Sequence, residues 1–394
     1  MIAVGVGLSQ NIATPRETAK DAADTARKKL AGKKATIVFA FASITYDQKE
    51  VLAGIREVFP DTSVVGGSAA GEIVSWNTVY DGINVMAIAT DQFEVATGSC
   101  MDVAKDSFSG GECAARQLLE KNNKTIPDLV ISILDGMDSA GSQVIEGVKS
   151  VLGENIPLIG GSTGDDYRFE KTYEYHNDKL HSGSVVLLGL TGKFSYGFGI
   201  RHGWKPVGLP MNVTKARGTL LQELDGKPAI TLYEDYFGKD ASELSKEPLA
   251  RMAYTYPLGL EVEGSREYLI RDPIVATKGG GIRMAAAIPE GTAVRLMIGN
   301  RDHAIDAAKD AAKTARKQLG KSNPKAIIMF NCMARNKLLG IRCREENDEV
   351  NKIIGKDVPM IGFYTYGEHG PLHGKKNTPA YFHNETMTIL VLGE

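Results

Sequence analysis

The sequence predicts an α/β protein of duplicated α/β units, with mixed, partly parallel sheets covered by helices, in two domains. Three observations carry this expectation. The first is a repeated strand ending: SVVGGSAAGE (Ser63–Glu72), PLIGGSTGDD (Pro157–Asp166) and PMIGFYTYGE (Pro359–Glu368) each run from a buried apolar strand into Gly, a hydroxyl side chain and a carboxylate. The second is an apolar strand at a similar distance before each ending: Thr36–Phe41, Leu129–Leu134 and Ala326–Phe330. The third is a helix before each of those strands. DAADTARKKL (Asp21–Leu30) and DAAKTARKQL (Asp310–Leu319) differ only where Lys313 replaces Asp24 and Gln318 replaces Lys29, and the middle copy keeps Arg116 and Leu119. Helix, strand, helix and strand in fixed order is the mark of duplication, at a period too long and irregular for a solenoid.

The helices follow from period. Ala19, Ala23, Ala26 and Leu30 fall on one face of the first, and Ile305, Ala308, Ala312, Ala315 and Leu319 on one face of its third-unit counterpart. Continuous apolar runs such as TIVFAF predict strands covered on both faces, hence partly parallel sheets. After each Gly ending the texture alternates. Val85–Ala89 with Phe93–Ala96, and Ser184–Leu188 with Phe194–Phe198, read as hairpins, and Met387–Leu392 closes the chain as a strand. Between Pro206 and Asn300 the repeat is interrupted. One helix is expected to start in the Leu220–Leu224 region and another near Lys227–Tyr233, and strands are expected at Tyr268–Pro273 and Thr292–Met297. The expected domains are 1–222, with two units, and 223–394, with the third unit and extra strands.

A chain of 394 residues buries large cores. Its net charge of −2, with bases and acids interspersed, gives no reason to expect nucleic acid. No segment approaches the roughly 18–20 apolar residues of a membrane span. The start, MIAVGVGLSQ, shows neither the basic nor the apolar region of a signal peptide. Cys100, Cys113, Cys332 and Cys343 have no CxxC spacing, which fits a reducing cytoplasm and disfavours structural zinc.

Ligands in open α/β sheets sit beyond the carboxyl ends of strands, which here carry Ser68 and Glu72, Ser162 and Asp165, and Tyr364, Tyr366 and Glu368. Glycines there let backbone approach a ligand, or merely make tight turns with the acids as caps. Gly160-Gly161-Ser162-Thr163-Gly164 matches G-x-S-x-G formally, but the aromatic, turn-rich stretch after it does not read as the helix a nucleophile elbow needs. Cys332 ends the third unit's first strand, as a nucleophile, a soft ligand or a small buried hydrophobe. Arg335 is placed to grip a carboxylate, with Glu345 or Glu368 as its protein partner. His202, beside Gly203 and Trp204, is a pocket residue or a hydrogen-bonded structural one. His369 and His373 are broken by Gly370 and Pro371, so they do not read as a helical metal site. Asn384 precedes the last strand and is expected to close the cavity that holds Glu368.

These segments resemble the FIST family, named for F-box and intracellular signal transduction proteins. The resemblance rests on GGSAAGE, GGSTGDD, RHGW-x-P, ELDGKPAI-x-x-Y, PLGL, IPEGT, F-x-C-x-x-R, YTYGE and FHNET, in that order along nearly the whole chain. It implies a stand-alone cytoplasmic sensory module that binds a small ligand, such as an amino acid or similar metabolite, and signals through a separate protein such as a histidine kinase or chemoreceptor. It also raises a haem-binding nitric-oxide sensor, with His202 as the haem ligand. The family supplies no agreed catalytic residue set. The residues themselves leave open an enzyme, a hydrolase or lyase with Cys332 or Ser162 as nucleophile. In the sensor reading Arg335 holds a carboxylate, Glu72, Asp165 or Glu368 an amine, and Tyr364 and Tyr366 stack on the ligand or hydrogen-bond it.

Overall fold

The computed structural model describes the chain apart from residues 76, 138–139, 239–240, 245–248, 250–253, 263 and 266, and only the backbone of 241–242. Three units of one design form most of it. The first comprises β1 (Ile2–Ser9), a helix Pro15–Lys28, β2 (Ile37–Ser43), a helix Gln48–Val58, β3 (Ser63–Ala69), a hairpin of β4 (Glu72–Val74) and β5 (Asn77–Val79), and β6 (Ile83–Thr90). Its helices begin where the sequence supplies caps. Thr14 and Glu17 form a capping box ahead of Pro15, and the Asp47 side chain accepts from the amides of Lys49 and Glu50. The second unit repeats the order with β7 (Phe93–Met101), a helix Ser107–Lys121, β8 (Leu129–Leu134), a helix Gly141–Leu152, β9 (Leu158–Ser162), β10 (Glu174–His176), β11 (Lys179–His181) and β12 (Ser184–Gly192).

The third unit opens with β13 (Ser195–Arg201) and is then interrupted by a β-rich insertion. That insertion contains β14 (Lys205–Arg217), β15 (Leu220–Leu224), β16 (Lys227–Pro228), a helix Thr231–Phe237, β17 (Leu258–Glu261), β18 (Tyr268–Arg271), β19 (Pro273–Ala276), β20 (Ile282–Met284) and β21 (Ala293–Ile298). The unit resumes with a helix Arg301–Leu319, β22 (Pro324–Cys332), helices Met333–Leu339 and Cys343–Ile354, β23 (Met360–Thr365), a hairpin of β24 (Glu368–Pro371) and β25 (Ala380–His383), and β26 (Met387–Gly393).

The three sheets are permutations of one another: β1-β6-β2-β3-β10-β11, β7-β12-β8-β9-β24-β25 and β13-β26-β22-β23-β4-β5. In each, the central pair is parallel (β2–β3, β8–β9, β22–β23) and the flanking strand antiparallel (β6, β12, β26). Each unit's hairpin joins the sheet of the unit before it: the second unit's adds to β3, the third's to β9 and the first's to β23. The exchange is cyclic, so the units interlock around a pseudo-threefold axis.

Alternate residues of each central strand explain why the apolar runs are continuous. Ile37, Phe39 and Phe41 face a core shared with Ile131, Ile133, Ile328, Phe330 and Phe363. Phe41 stacks on Phe363 with ring centroids 4.1 Å apart. Val38, Ala40 and Ala42 face outward onto Ala19, Ala22, Ala23 and Ala26 of the first helix, where small side chains admit close packing. The third-unit helix packs in the same way through Ala308, Ala312, Ala315 and Leu319.

Two sequence expectations are corrected here. Val85–Ala89 does not form a hairpin with Phe93–Ala96, nor Ser184–Leu188 with Phe194–Phe198. β6 pairs with β1 and β2, β7 with β12, and β13 with β26, so each short connection crosses a corner between two sheets. Leu220–Leu224 is a strand rather than a helix, because Gly218 at φ 58° turns β14 back into β15, and the second expected helix begins only at Thr231, after β16. Residue 222, the expected boundary, lies inside β15. The insertion has its own core of Val213, Leu221, Tyr233, Leu258, Ile282 and Leu296. No helix of the described residues is long and apolar enough to cross a membrane.

Candidate functional site

The repeated strand endings build a ring at the pseudo-threefold axis. Ala70 N–H donates to Tyr364 O (3.1 Å), Gly164 N–H to Ser68 O (3.0 Å) and Tyr366 N–H to Ser162 O (3.2 Å), each hydrogen bond joining one unit to the next. A Cβ on Gly67 would meet the Thr163 methyl at 2.6 Å, and one on Gly161 the Thr365 methyl at 2.6 Å. In the third ending the sizes are reversed, with Phe363 in the glycine's place and Ala69 in the threonine's, both in the central core. The glycines therefore lie within strands and admit a neighbouring unit.

The acid of the repeat is also scaffold. Glu72, Glu174 and Glu368 each begin the exchanged hairpin, opposite Phe363, Gly67 and Gly161. All three are fully buried. Each accepts the backbone N–H at the start of its own unit's last strand: Gly82 at 3.0 Å, Ser184 at 3.1 Å and Thr386 at 3.1 Å. Hydroxyls complete the set for Glu174 (Thr163 and Ser184) and Glu368 (Thr365 and Thr386). Burial pushes Glu174 and Glu368 up to about 8, and Glu72 well above the usual carboxylate range. The sequence reading paired Glu72 and Glu368 with Asp165 and Asp166 and missed Glu174, whose equivalence appears only through strand register. Ser68 is buried, its Oγ accepting from Tyr173 N–H at 3.0 Å. Tyr364 is buried with its hydroxyl 3.5 Å from Thr78.

The cleft lies beside the third ending, between the insertion and the three-unit core. Its cavity volume is about 40 Å³. Tyr167, Phe169, Tyr366 and Tyr254 are among its aromatic lining, and Pro273, Ile274, Ala285 and Met333 add apolar surface. Asp165 positions that wall. Its carboxylate accepts the N–H groups of Phe169 (2.9 Å), Glu170 (2.6 Å) and Lys171 (3.0 Å), and the Tyr366 hydroxyl. Phe169 stacks on Tyr366 at 4.9 Å. The loop holds Asp166, Tyr167 and Phe169 at φ of 56°, 66° and 59°, a left-handed conformation that side chains of this size rarely adopt.

At the floor, ligating atoms of Asp272, Cys332 and Glu385 all lie within 4.8 Å of one another. The two carboxyls can be held to each other only by a shared proton. Apart from that contact, Asp272 Oδ1 and both Glu385 oxygens find no hydrogen-bond donor among the described residues, although Glu385 is fully buried. Burial, partly offset by contact with Glu385 and Arg271, pushes Asp272 up to about 6, and burial with Asp272 beside it lifts Glu385 well above the usual range. Burial and the carboxyls of Glu368, Glu385 and Asp272 hold the Cys332 thiol well above its ordinary value. Asn384, adjacent to Glu385 in the chain, is buried, and neither its amide oxygen nor its nitrogen has a partner among the described residues. Asp272 and Glu385 were missed in the sequence. Their signal was a charge at the end of the apolar Tyr268–Ile270 strand and a polar turn, Asn384 to Thr386, between two apolar strands.

Arg335 does not reach the cleft's lining. Its fully buried guanidinium donates to Asn331, the carbonyls of His202, Ala304 and Glu385, and the Glu346 carboxylate. Its partner is Glu346, not Glu345, which binds Arg342, nor Glu368. His202 accepts from Trp204 N–H at 2.9 Å, and its other ring nitrogen is 4.0 Å from Glu267. Burial drives it down to about 4, so it is neutral. The surface hollow beside it is lined by Trp204, Pro206 and Tyr268 but also by Arg201, Lys205, Glu267, Asp306 and Asp310, and these charges do not fit the apolar faces of a haem. Ser162 Oγ lies 3.3 Å from His369, whose other nitrogen meets Ser132 rather than a carboxylate. No helix follows Ser162 directly, as the chain passes by a loop to β10. The nucleophile-elbow geometry is therefore not formed.

Comparison with known proteins places this geometry in a family. An uncharacterized protein of Mycobacterium bovis is 25% identical over 395 residues, covering 94% of this chain and 95% of its own. One from Methanocaldococcus jannaschii is 24% identical over 378 residues, covering 86% of this chain and 71% of its own. Among solved structures, a cyanuric acid hydrolase from A. caulinodans aligns over 99% of both chains at a TM-score of 0.34 and 9% identity. PurL of Thermotoga maritima, complexed with ADP, aligns over all of this chain and 72% of its own at 0.25 and 10%. The FIST N domain model matches residues 36–227 and the FIST C domain model residues 229–371, so the chain belongs to the FIST family.

Proposed function

We propose that this protein is a cytoplasmic sensor that binds a small ligand in the cleft between the insertion and the core. FIST domains are associated with sensory roles in signal transduction. The observation that supports the reading is the pairing of an aromatic wall with a floor of buried acceptors that lack donors. Native proteins rarely leave such groups unpaired. The ligand therefore brings positive charge or hydrogen-bond donors to Asp272 and Glu385, and lays a flat or apolar body against Phe169 and Tyr366. The amine of an amino-acid-like metabolite meets that demand, whereas a carboxylate aimed at the same floor does not. The cleft is bounded by the insertion on one side and the core on the other, so a ligand that contacts both walls favours arrangements that hold the two together. That preference shifts the population read by a separate signalling protein, a histidine kinase or chemoreceptor.

The test is a thermal-shift screen of amino acids and other amines. A ligand at a hundred times its Kd adds about 2.7 kcal/mol of stability. The expected result is an upward shift of several degrees that disappears in Asp272→Asn and in Phe169→Ala. The reading fails if no amine shifts the protein, or if the shift survives both substitutions.

A further inference from the structure

We infer that the floor of the cleft is a binding site for a thiophilic divalent cation of the zinc class, held by Cys332 Sγ and one carboxylate oxygen each from Asp272 and Glu385. A cluster of acids alone would not indicate a metal. Here one of the three donors is a thiol, and all three ligating atoms already lie within 4.8 Å of one another. Tetrahedral zinc with one sulfur and two oxygen ligands places its donors roughly 3.5 Å apart, so only a small contraction is needed. The second observation is the fully buried Glu385 side chain, neither of whose oxygens has a donor among the described residues beyond the contact with Asp272.

Among the described residues, the cations nearby are otherwise engaged. Arg335 is paired with Glu346, and Arg271 donates to the carbonyls of Ala287, Ile270 and Phe382. An ammonium group would satisfy the two carboxylates but gains little from a thiol. A borderline-soft dication uses all three. The ligands come from three separated places: the β18–β19 junction, the end of β22 and the turn before β26. A bound ion would thus clamp the insertion onto the core. Asp272 and Cys332 line the cleft, so the ion's fourth position opens onto it. That is the arrangement of zinc sites that accept an exogenous ligand, in contrast with closed structural sites. The ion takes the two carboxylates that the sensor reading above gives to an amine, so ion and ammonium are alternative occupants of this floor. The three-residue set stands without that reading, and an organic ligand of the loaded protein would reach the fourth position through a neutral or anionic donor atom.

Cobalt(II) titration of chelator-stripped full-length protein tests the inference. The expected result is one equivalent bound, with a thiolate-to-cobalt charge-transfer band and the intense visible bands of a tetrahedral site, displaced by zinc. Cys332→Ser loses the charge-transfer band. Asp272→Asn and Glu385→Gln each weaken binding at least tenfold, and Cys343→Ser changes nothing. Circular dichroism verifies that each variant is folded. Absence of a charge-transfer band in the folded wild type overturns the inference, and so does its persistence in Cys332→Ser. The outcomes separate the two readings. Amines that shift the stripped protein while cobalt gives no band leave the sensor reading and remove the metal. Cobalt bound through Cys332, with no amine shifting either the stripped or the loaded protein, does the reverse.

Discussion

Arg335 shows how far a single residue can be read from sequence. A guanidinium beside a buried strand needs an anion, and that need is met, but within the protein itself. Glu345 and Glu346 are indistinguishable in the sequence. One step along a helix rotates a side chain by about 100°, which turns Glu345 to the surface and Glu346 inward onto Arg335. Both members of the pair are fully buried. Removing one of them leaves an uncompensated charge in the interior. Arg335→Met is expected to lower stability by about 3–5 kcal/mol. The double variant Arg335→Met, Glu346→Leu should recover a substantial part of that loss. Urea unfolding of the three proteins checks this, and equal stabilities for the single variant and the wild type would exclude the buried-pair reading. Cys332 was legible as a strand-end thiol. Its neighbours Asp272 and Glu385 were not, because they arrive from segments distant in the chain and share no spacing with it.

At the scale of elements, the exchanged hairpins carry a pH dependence. Glu174 and Glu368 begin two of them and have their folded pKa raised to about 8 by burial. In the unfolded chain a glutamate titrates near 4.3. Between these values the folded state holds protons that the unfolded state has lost. The stabilising contribution is complete below about pH 4.3 and is lost as pH rises through about 8. Buried histidines act in the opposite direction. His369 is depressed to about 3 and His383 to about 4 by burial, so their contribution is present above the unfolded value near 6.5 and is lost as pH falls toward 4. For two groups of each kind these opposing effects balance midway between the unfolded values, so the optimum they set lies on the acid side of neutrality, at about pH 5–6. Urea midpoints measured from pH 5 to 9 should fall on the alkaline side, and Glu368→Gln should flatten that fall and move the optimum to higher pH. An unchanged alkaline limb in Glu368→Gln would remove Glu368 as its cause. The strand endings themselves were visible in the sequence as a triple motif. Their role as an interlocking ring was not, since hydrogen bonds between units leave no trace in the spacing of any one unit.

For the whole molecule, the repeat was legible and the way its copies join was not. β6 and β7 are separated by Asp91 and Gln92, and β12 and β13 by Lys193 and Phe194. A two-residue connection between alternating strands is the ordinary signature of a hairpin. Here each one instead turns a corner from one sheet to the next, which only the pairing partners reveal. The third corner is formed by the chain ends. The Glu394 carboxylate accepts from Ile2 N–H at 2.6 Å and lies 3.7 Å from the Met1 amino group, while Met1 also pairs with Asp91. The three corners are thus equivalent, and the position of the break among them should matter little. A circular permutant that begins at Gln92, ends at Asp91 and joins Glu394 to Met1 through a short Gly/Ser linker is expected to fold cooperatively. Its stability should lie within about 1–2 kcal/mol of the parent, since linker closure costs are modest. A permutant opened between Ala70 and Gly71 instead cuts the first unit's hairpin from the ring bond that Ala70 makes to Tyr364. It should be markedly less stable or insoluble. Far-UV circular dichroism and urea unfolding of both proteins decide the matter. If the Ala70–Gly71 permutant folds as well as the Asp91–Gln92 one, the hairpin exchange is not what holds the three units together.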